Sequence, residues 1–204
     1  LSVCFATFNR LPYLKRVLSD LVSNEEAVSC IDKVVVINQG DSFAISDLLG
    51  PSNIDQENIF QLVEQENLGG CGGFTRGIVE SLENDSASHI LLCDDDIVFE
   101  PHSIIRLSAF LKYCRDDVVV GGQMLDILRP NFLYESGATL REHDLTSNPI
   151  AHNRFLGEPE TLDYLINRGK VDYNGWWYFA FSKKVVEKVA LPMPCFIRGD
   201  DIEY

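Results

Sequence analysis

Short apolar runs, each closed by polar or glycine-rich residues, divide the first half of the chain. Ser2-Val3-Cys4-Phe5-Ala6-Thr7-Phe8 has strand length and ends in Asn9-Arg10. Leu11, Leu14, Val17, Leu18 and Leu21 then recur at helical spacing, with Pro12 in the first turn, where proline is tolerated. Val34-Val35-Val36-Ile37 is apolar and β-branched throughout, as a parallel strand covered on both faces must be. It ends in the polar turn Asn38-Gln39-Gly40-Asp41-Ser42, and Ile59 to Val63 forms a weaker third strand. Ile90 to Cys93 is a buried strand, and Pro101 opens a helix carrying Ile104, Ile105, Leu107, Leu111 and Tyr113. Val118-Val119-Val120-Gly121-Gly122 is another strand, and Phe132 to Leu140 holds a strand and a turn. Periodicity fades from Arg141 to Lys170, an irregular excursion with a short helix near Leu162 to Ile166. Ser182 caps a last helix, Lys183 to Val189, which Leu191-Pro192-Met193-Pro194 breaks. Strand, helix, strand, polar loop, strand is the rhythm of an α/β fold.

The sharpest discontinuity is His89-Ile90-Leu91-Leu92-Cys93-Asp94-Asp95-Asp96. A buried strand cannot hold three adjacent unpaired anions, because desolvating each costs several kcal/mol or more. The carboxylates therefore belong at the strand's carboxyl end, where open α/β sheets bind ligands. Alternate strand residues point the same way, so Asp94 and Asp96 are placed to hold one divalent ion between them. Oxygen ligands favour Mg²⁺ or Mn²⁺. An acidic loop or a helix cap is the alternative.

Asn67-Leu68-Gly69-Gly70-Cys71-Gly72-Gly73-Phe74-Thr75-Arg76-Gly77 precedes a helix from about Phe74 to Leu82. Glycines let a backbone approach a ligand, and a helix amino end attracts anions. The dinucleotide pattern GxGxxG fails at Thr75, and the P-loop fails because Ile78-Val79 stand in place of Lys-Ser/Thr. A flexible turn with tight helix packing fits equally. Arg76 is the best single residue here to contact a phosphate or sugar oxygen. Further on, Trp176-Trp177 suits a strand that sends one indole into the core and the other into a cleft, as a platform for a sugar ring; both being core is the alternative. His143 and His152 lie in the irregular excursion, where a lone histidine is usually solvated.

With 204 residues and 46% apolar content the chain fits one domain with an ordinary core. The 17 basic and 31 acidic residues give a net charge of −14, which argues against a nucleic-acid partner. It leaves room for a nucleotide, because a metal ion on the aspartates inverts the local field. No apolar run is long enough to span a bilayer. The six cysteines form no CxxC pair, which points to a reduced, cytoplasmic chain. Leu1 begins in a strand and Tyr204 ends in mid-motif, as expected of one part, residues 1–204, of a longer protein.

In order, Thr7-Phe8-Asn9-Arg10 at a strand end, the Asn-Leu-Gly-Gly loop with its following Arg76, the DxD, the aromatics and the acidic pair Asp200-Asp201 resemble a family 2 glycosyltransferase of the GT-A fold. More narrowly, Asn67-Leu68-Gly69-Gly70-x-Gly72-Gly73-Phe74, Asp94-Asp95-Asp96-Ile97, Asn174-Gly175-Trp176-Trp177 and Phe196-Ile197-Arg198-x-Asp200-Asp201 are similar to bacterial galactofuranosyltransferases that extend galactan chains. The resemblance covers nearly the whole chain and implies a Rossmann-like GT-A domain with a mostly parallel central sheet. Residues 1 to about 100 would bind the nucleotide-sugar and the remainder the acceptor. Thr7, Asn9 and Arg10 would line the uridine pocket, with Asn38 where such enzymes usually carry an Asp that reads the uracil. The donor site would also include Asn67, Gly69, Gly70, Arg76 and Asp95. Asp94 and Asp96 would bind Mn²⁺ or Mg²⁺ on the diphosphate, and Trp176 and Trp177 would contact the acceptor. Asp201 would be the general base, with Asp200 beside it and Gly199 in place of a usual Trp. The family's third metal ligand, a His, falls beyond Tyr204.

The activity so implied is metal-dependent, inverting transfer of a sugar, galactofuranose first, from a UDP-sugar to a hydroxyl of a glycan or lipid-linked glycan in cell-surface polysaccharide synthesis. Such an enzyme would work in the cytoplasm or at the inner face of the membrane, alone or as a homo-oligomer. The alternatives are a sugar nucleotidyltransferase, whose basic signature loop is missing here, and a non-catalytic carbohydrate-binding module that keeps the fold.

Overall fold

The computed structural model describes residues 1–49, 57–141, 143, 146–158 and 171–196. The strands of the first half are β1 (Ser2–Thr7), β2 (Lys33–Asn38), β3 (Phe60–Glu64) and β4 (His89–Cys93). Its helices are α1 (Leu11–Val22), α2 (Glu25–Ser29), α3 (Ile45–Leu48) and α4 (Gly69–Leu82). Helix α5 (His102–Leu111) follows, then the short strands β5 (Val120–Gly121), β6 (Met124–Leu125), β7 (Phe132–Glu135), β8 (Ala138–Leu140), β9 (Ser147–Pro149) and β10 (Arg154–Phe155). Strand β11 (Tyr178–Ser182) leads into α6 (Lys183–Val189).

The main sheet has the order β3-β2-β1-β4-β11-β5. The first four strands are mutually parallel, and β11 runs antiparallel between β4 and β5. The expected mostly parallel sheet is therefore present. Alternation along the strands divides the core in two. Val3, Phe5, Val34, Val36, Leu91 and Cys93 pack with Leu14, Leu18 and Leu21 of α1 and Ile104 and Leu107 of α5. Cys4, Val35, Ile37, Ile90 and Leu92 face the other way, against Phe74 and Ile78 of α4 and Val186 of α6. Two further sheets, β10-β7-β6 and β8-β9, lie outside this core. Among the described residues, no helix is long and apolar enough to cross a membrane.

Three expectations need correction. Helix α4 begins at Gly69, not near Phe74, so the glycine run is the helix's first turns and not a loop before it. The reason is proximity: a Cβ at Gly73 would stand 2.7 Å from the Ala6 Cβ, and one at Gly77 3.1 Å from the Cys4 Cβ. The glycines let α4 lie close on β1 and β2. Ser182 occupies the N-cap of α6 without bonding its amides; its hydroxyl donates instead to the Asp116 carbonyl. Tyr113 lies past the end of α5 and is exposed, so the apolar stripe of that helix ends at Leu111. The short helix expected near residues 162–166 lies outside the described residues.

Candidate active site

Strands β2 and β3 lie to one side of β1, and β4 lies to the other. The chain runs outward from β1 through β2 to β3 and then crosses back by α4 to β4 on the other side of β1, and this reversal opens a crevice at the carboxyl ends of β1 and β4. A cleft of about 420 Å³ fills that position. Its walls carry Thr7 at the end of β1, Phe8 and Arg10 after it, Gln39 after β2, Asn67 just before α4, Gly69, Gly70 and Phe74 on α4, Asp94 and Asp95 after β4, and Trp176, Trp177 and Phe196. Nine of the residues expected in the site from sequence come together here: Thr7, Arg10, Asn67, Gly69, Gly70, Asp94, Asp95, Trp176 and Trp177.

The carboxylates are arranged differently from the expectation. Strand β4 ends at Cys93, so the aspartates occupy a turn and strand alternation does not govern them. Asp94 and Asp95 line the cleft, while Asp96 is exposed at its rim. The Arg10 guanidinium bonds Asp96 and lies 3.8 Å from Asp95 Oδ1. Asp95 is 6% exposed. Burial pushes its carboxyl above the ordinary value, against the pull of the Thr7 hydroxyl; the charge of Asp96 adds to the rise and that of Arg10 opposes it. A buried carboxylate that gains from a nearby cation is suited to a metal-assisted site. Among the described residues, no three His, Cys, Asp or Glu side chains gather as a metal centre. The chain offers the oxygens of Asp94 and Asp95, a hard donor set that fits Mg²⁺ or Mn²⁺.

The strand ends are tied to one another by amides. Asn9, at φ 54°, accepts from the Asp41 amide at 2.7 Å through Oδ1. Asn is one of the few residues that enter this region readily. Asn38 is buried and turned into its own loop, accepting from Gly40 N and donating to Asp41 O and Glu64 Oε1. Neither asparagine lines the cleft. Arg76 does not either: its Nε donates to Glu80 Oε1 at 2.7 Å, one turn along the exposed face of α4. Burial pushes the Glu80 carboxyl up, but the bonds from Arg76 and Gln61 outweigh it and hold it below its ordinary value.

Gln39 is the polar residue that sequence reasoning passed over. It is buried; its Nε2 donates to the Gly69 carbonyl at 2.9 Å, and its Oε1 accepts from Leu68 N and Gln65 Nε2. It thereby fixes the entry to α4 beside the cleft. The available signal was its position, first past the end of β2 in a turn already identified as polar. Phe8, Phe74 and Phe196 were also missed, and with the two indoles they put five aromatic side chains on the cleft wall. Trp176 is buried edge-on against Phe74, centroids 5.4 Å apart, and Trp177 is half-buried, with its Nε1 donating to Gly122 O. The expected strand at the tryptophans is not there: both stand in the turn before β11, so alternation does not separate them, and Trp176 packs in the core while both indoles reach the cleft wall. The Asp94 amide lies 3.4 Å from the Trp177 carbonyl, linking the acidic turn to the aromatic one. Asp200 and Asp201 lie outside the described residues.

Comparison with known proteins bears on this geometry. The chain is 32% identical to the galactofuranosyltransferase GlfT2 of Mycolicibacterium smegmatis over 219 aligned residues, covering all of this chain and 33% of that protein. It thus spans about a third of the length of that curated relative. Among solved structures, GalNAc-T7 with UDP, GalNAc and Mn²⁺ superposes with a TM-score of 0.65 over 99% of this chain and 38% of that one, at 11% identity. The mannosyltransferase PcManGT of Pyrobaculum calidifontis, in complex with GDP-Man and Mn²⁺, superposes with a TM-score of 0.53 over 98% of this chain and 49% of that one, at 13% identity. At such identities the likeness establishes the fold, which is GT-A. The family profile described as "Glycosyltransferase like family 2" matches residues 1–204, the full length of the chain, and with the GlfT2 alignment it shows that the chain belongs to glycosyltransferase family 2.

Proposed function

We propose that this domain catalyses inverting, divalent-metal-dependent transfer of galactofuranose from UDP-galactofuranose to a hydroxyl of a glycan or lipid-linked glycan acceptor. The observation that carries the reading is the cleft at the β1/β4 switch point, where Asp94 and buried Asp95 meet Arg10 on one side and two indoles on the other. The choice of sugar is supported by the similarity to GlfT2 along the whole chain. Residues from the first hundred positions form the donor side. Thr7, Arg10, Asn67, Gly69 and Gly70 contact the nucleotide, with Gln39 added to them. Asn9 and Asn38 shape the pocket through the loop after β2. Trp176 and Trp177 take the acceptor.

In this reading Asp94 and Asp95 hold the metal, with Asp96 adding negative charge at the rim. When bound, the ion neutralises the departing diphosphate as a Lewis acid. The protein's own groups do the rest. Arg10 adds positive charge beside the carboxylates at the mouth of the donor pocket. The aromatic walls hold the sugar and exclude water. Asp201, with Asp200 beside it, accepts the proton of the attacking acceptor hydroxyl. The hydroxyl oxygen forms the new bond to the anomeric carbon as the bond to the diphosphate breaks, and UDP leaves.

The test is product analysis with UDP-galactofuranose, a galactan-type acceptor and Mn²⁺. The expected outcome is free UDP and an extended acceptor, with Asp201→Asn losing about 10²- to 10⁴-fold in rate while still binding UDP. Release of pyrophosphate would identify a nucleotidyltransferase instead. UDP or glycan binding without transfer by the wild type would identify a binding module.

A further inference from the structure

The chain returns to the cleft once more after α6, and one side chain of α4 holds it there. Cys71 is 1% exposed in the first turn of the helix. Its amide donates to the Phe196 carbonyl at 3.3 Å, and its thiol to the Met193 carbonyl at 2.7 Å. Met193–Phe196 thus forms a strap gripped at both ends by one residue. Gly69, two residues earlier at φ +74°, completes the seat, because a Cβ there would overlap the Phe196 carbonyl. Phe196 itself adopts φ 65° and lines the cleft. A bulky residue keeps a left-handed backbone only where its surroundings over-determine it.

We propose that Cys71 is a positioning residue for transfer: from the first turn of α4 it fixes the Met193–Phe196 strap and so holds Phe196 in the cleft wall. The thiol touches neither donor nor acceptor and acts only through the strap. This inference rests on the transferase reading for its catalytic consequence, but the grip itself is a property of the fold. The amide bond belongs to the backbone and survives substitution. The thiol bond does not, so side-chain changes at Cys71 separate the two. The Met193 carbonyl also accepts from the Cys195 amide at 2.7 Å, a bond within the strap, so an apolar group of similar size at Cys71 removes only the donor that ties this carbonyl to α4, whereas a hydroxyl restores it.

The experiment compares wild type, Cys71→Val and Cys71→Ser on the full chain. It uses hydrogen–deuterium exchange of the peptide spanning Met193–Phe196, UDP affinity in Mn²⁺, and kcat and KM for transfer. In Cys71→Val, strap exchange should accelerate by about tenfold while β1 and β4 stay protected. In the same variant kcat should fall by about tenfold with UDP affinity unchanged, and Cys71→Ser should recover both. Cys71→Ala, which adds no methyl group, makes the same comparison if Cys71→Val does not fold. Unchanged strap exchange in the apolar variants overturns the proposal, as does faster exchange with an unchanged kcat. A wild type that binds no UDP and transfers nothing would refute the transferase reading instead, and the exchange data would still decide whether Cys71 holds the strap.

Discussion

The two halves of the molecule are held together by different means. Strands β1, β2 and β4 are buried through and through: Val3, Cys4, Phe5, Val34, Val35, Val36, Ile90, Leu91, Leu92 and Cys93 are all fully buried. Hydrophobic alternation alone fixes their register, since a slip by one residue exchanges the two core faces. From β5 to β10 the strands are two to four residues long and carry exposed side chains such as Leu125, Tyr134 and Phe155. There the chain is fixed by particular contacts instead. Asn174 donates to the Gly122 and Gly175 carbonyls, Trp177 donates to Gly122, and Tyr173 donates to the Ser147 hydroxyl at 2.7 Å. The first half is a rigid floor, and the second is a set of clasps over its edge. The cleft is built where they meet, which in the proposed reading gives a precise donor side and an acceptor side that can vary without disturbing the core.

Truncation of a core aromatic breaks this contrast most directly. Phe5→Ala should cost about 3–5 kcal/mol by chemical denaturation, whereas Phe155→Ala, 39% exposed beside Phe132, should cost less than about 1 kcal/mol. Equal losses would show that the outer sheets share the core's cooperativity. Next in size are the close approaches. Gly73→Ala drives a methyl group into Ala6 and Gln39, and Gly122→Ala drives one into Tyr178, each at about 1–3 kcal/mol. The first should also weaken UDP binding through Gln39, and the second should spare it.

These pairs also show what the sequence made legible. Strands β1, β2 and β4 could be placed from their apolar runs, because burial on both faces leaves no other reading, while β3, half-buried at the sheet edge, gave the weaker signal. The position of the carboxylates at the end of β4 followed from the cost of burying charge. What escaped was anything set by approach between elements distant in sequence. The glycines of α4 look like a loop until the nearness of Ala6 and Cys4 is known. Arg76 looked like a phosphate contact because the helix was expected to start five residues late, which left the face it presents undetermined. Gln39 was hidden by its neighbour Asn38, whose role is to close its own turn. The small sheets were illegible because two- and three-residue strands carry no period.

A smaller effect sharpens the role of the acidic turn. The Asp95 carboxyl titrates above its ordinary value when folded, mainly through burial, so ionising it costs stability. That cost is fully present above the folded pKa and disappears below the unfolded value of about 3.9. In chelator, Asp95→Asn should therefore raise the unfolding midpoint at pH 7. The advantage should shrink as pH falls through the folded pKa and be gone by about pH 3.5. A destabilised variant at neutral pH would mean that the carboxylate is held by structure and not for a ligand. The smallest effect is expected at Arg76→Ala, an exposed (i, i+4) partner of Glu80, at about 0.3–0.5 kcal/mol, with UDP affinity unchanged.

Whether the cleft is a metal-assisted nucleotide site is decided most directly by thermal unfolding with UDP, with and without Mn²⁺, for the wild type and for Asp94→Ala/Asp95→Ala. UDP at about 100 times its dissociation constant adds about 2.7 kcal/mol of stability. For a chain of this size that raises the midpoint by about 5 to 10 °C. The account predicts a rise that needs both UDP and Mn²⁺ and is lost in the double variant. An equal rise in the double variant, or no rise in the wild type on the full chain, would contradict it.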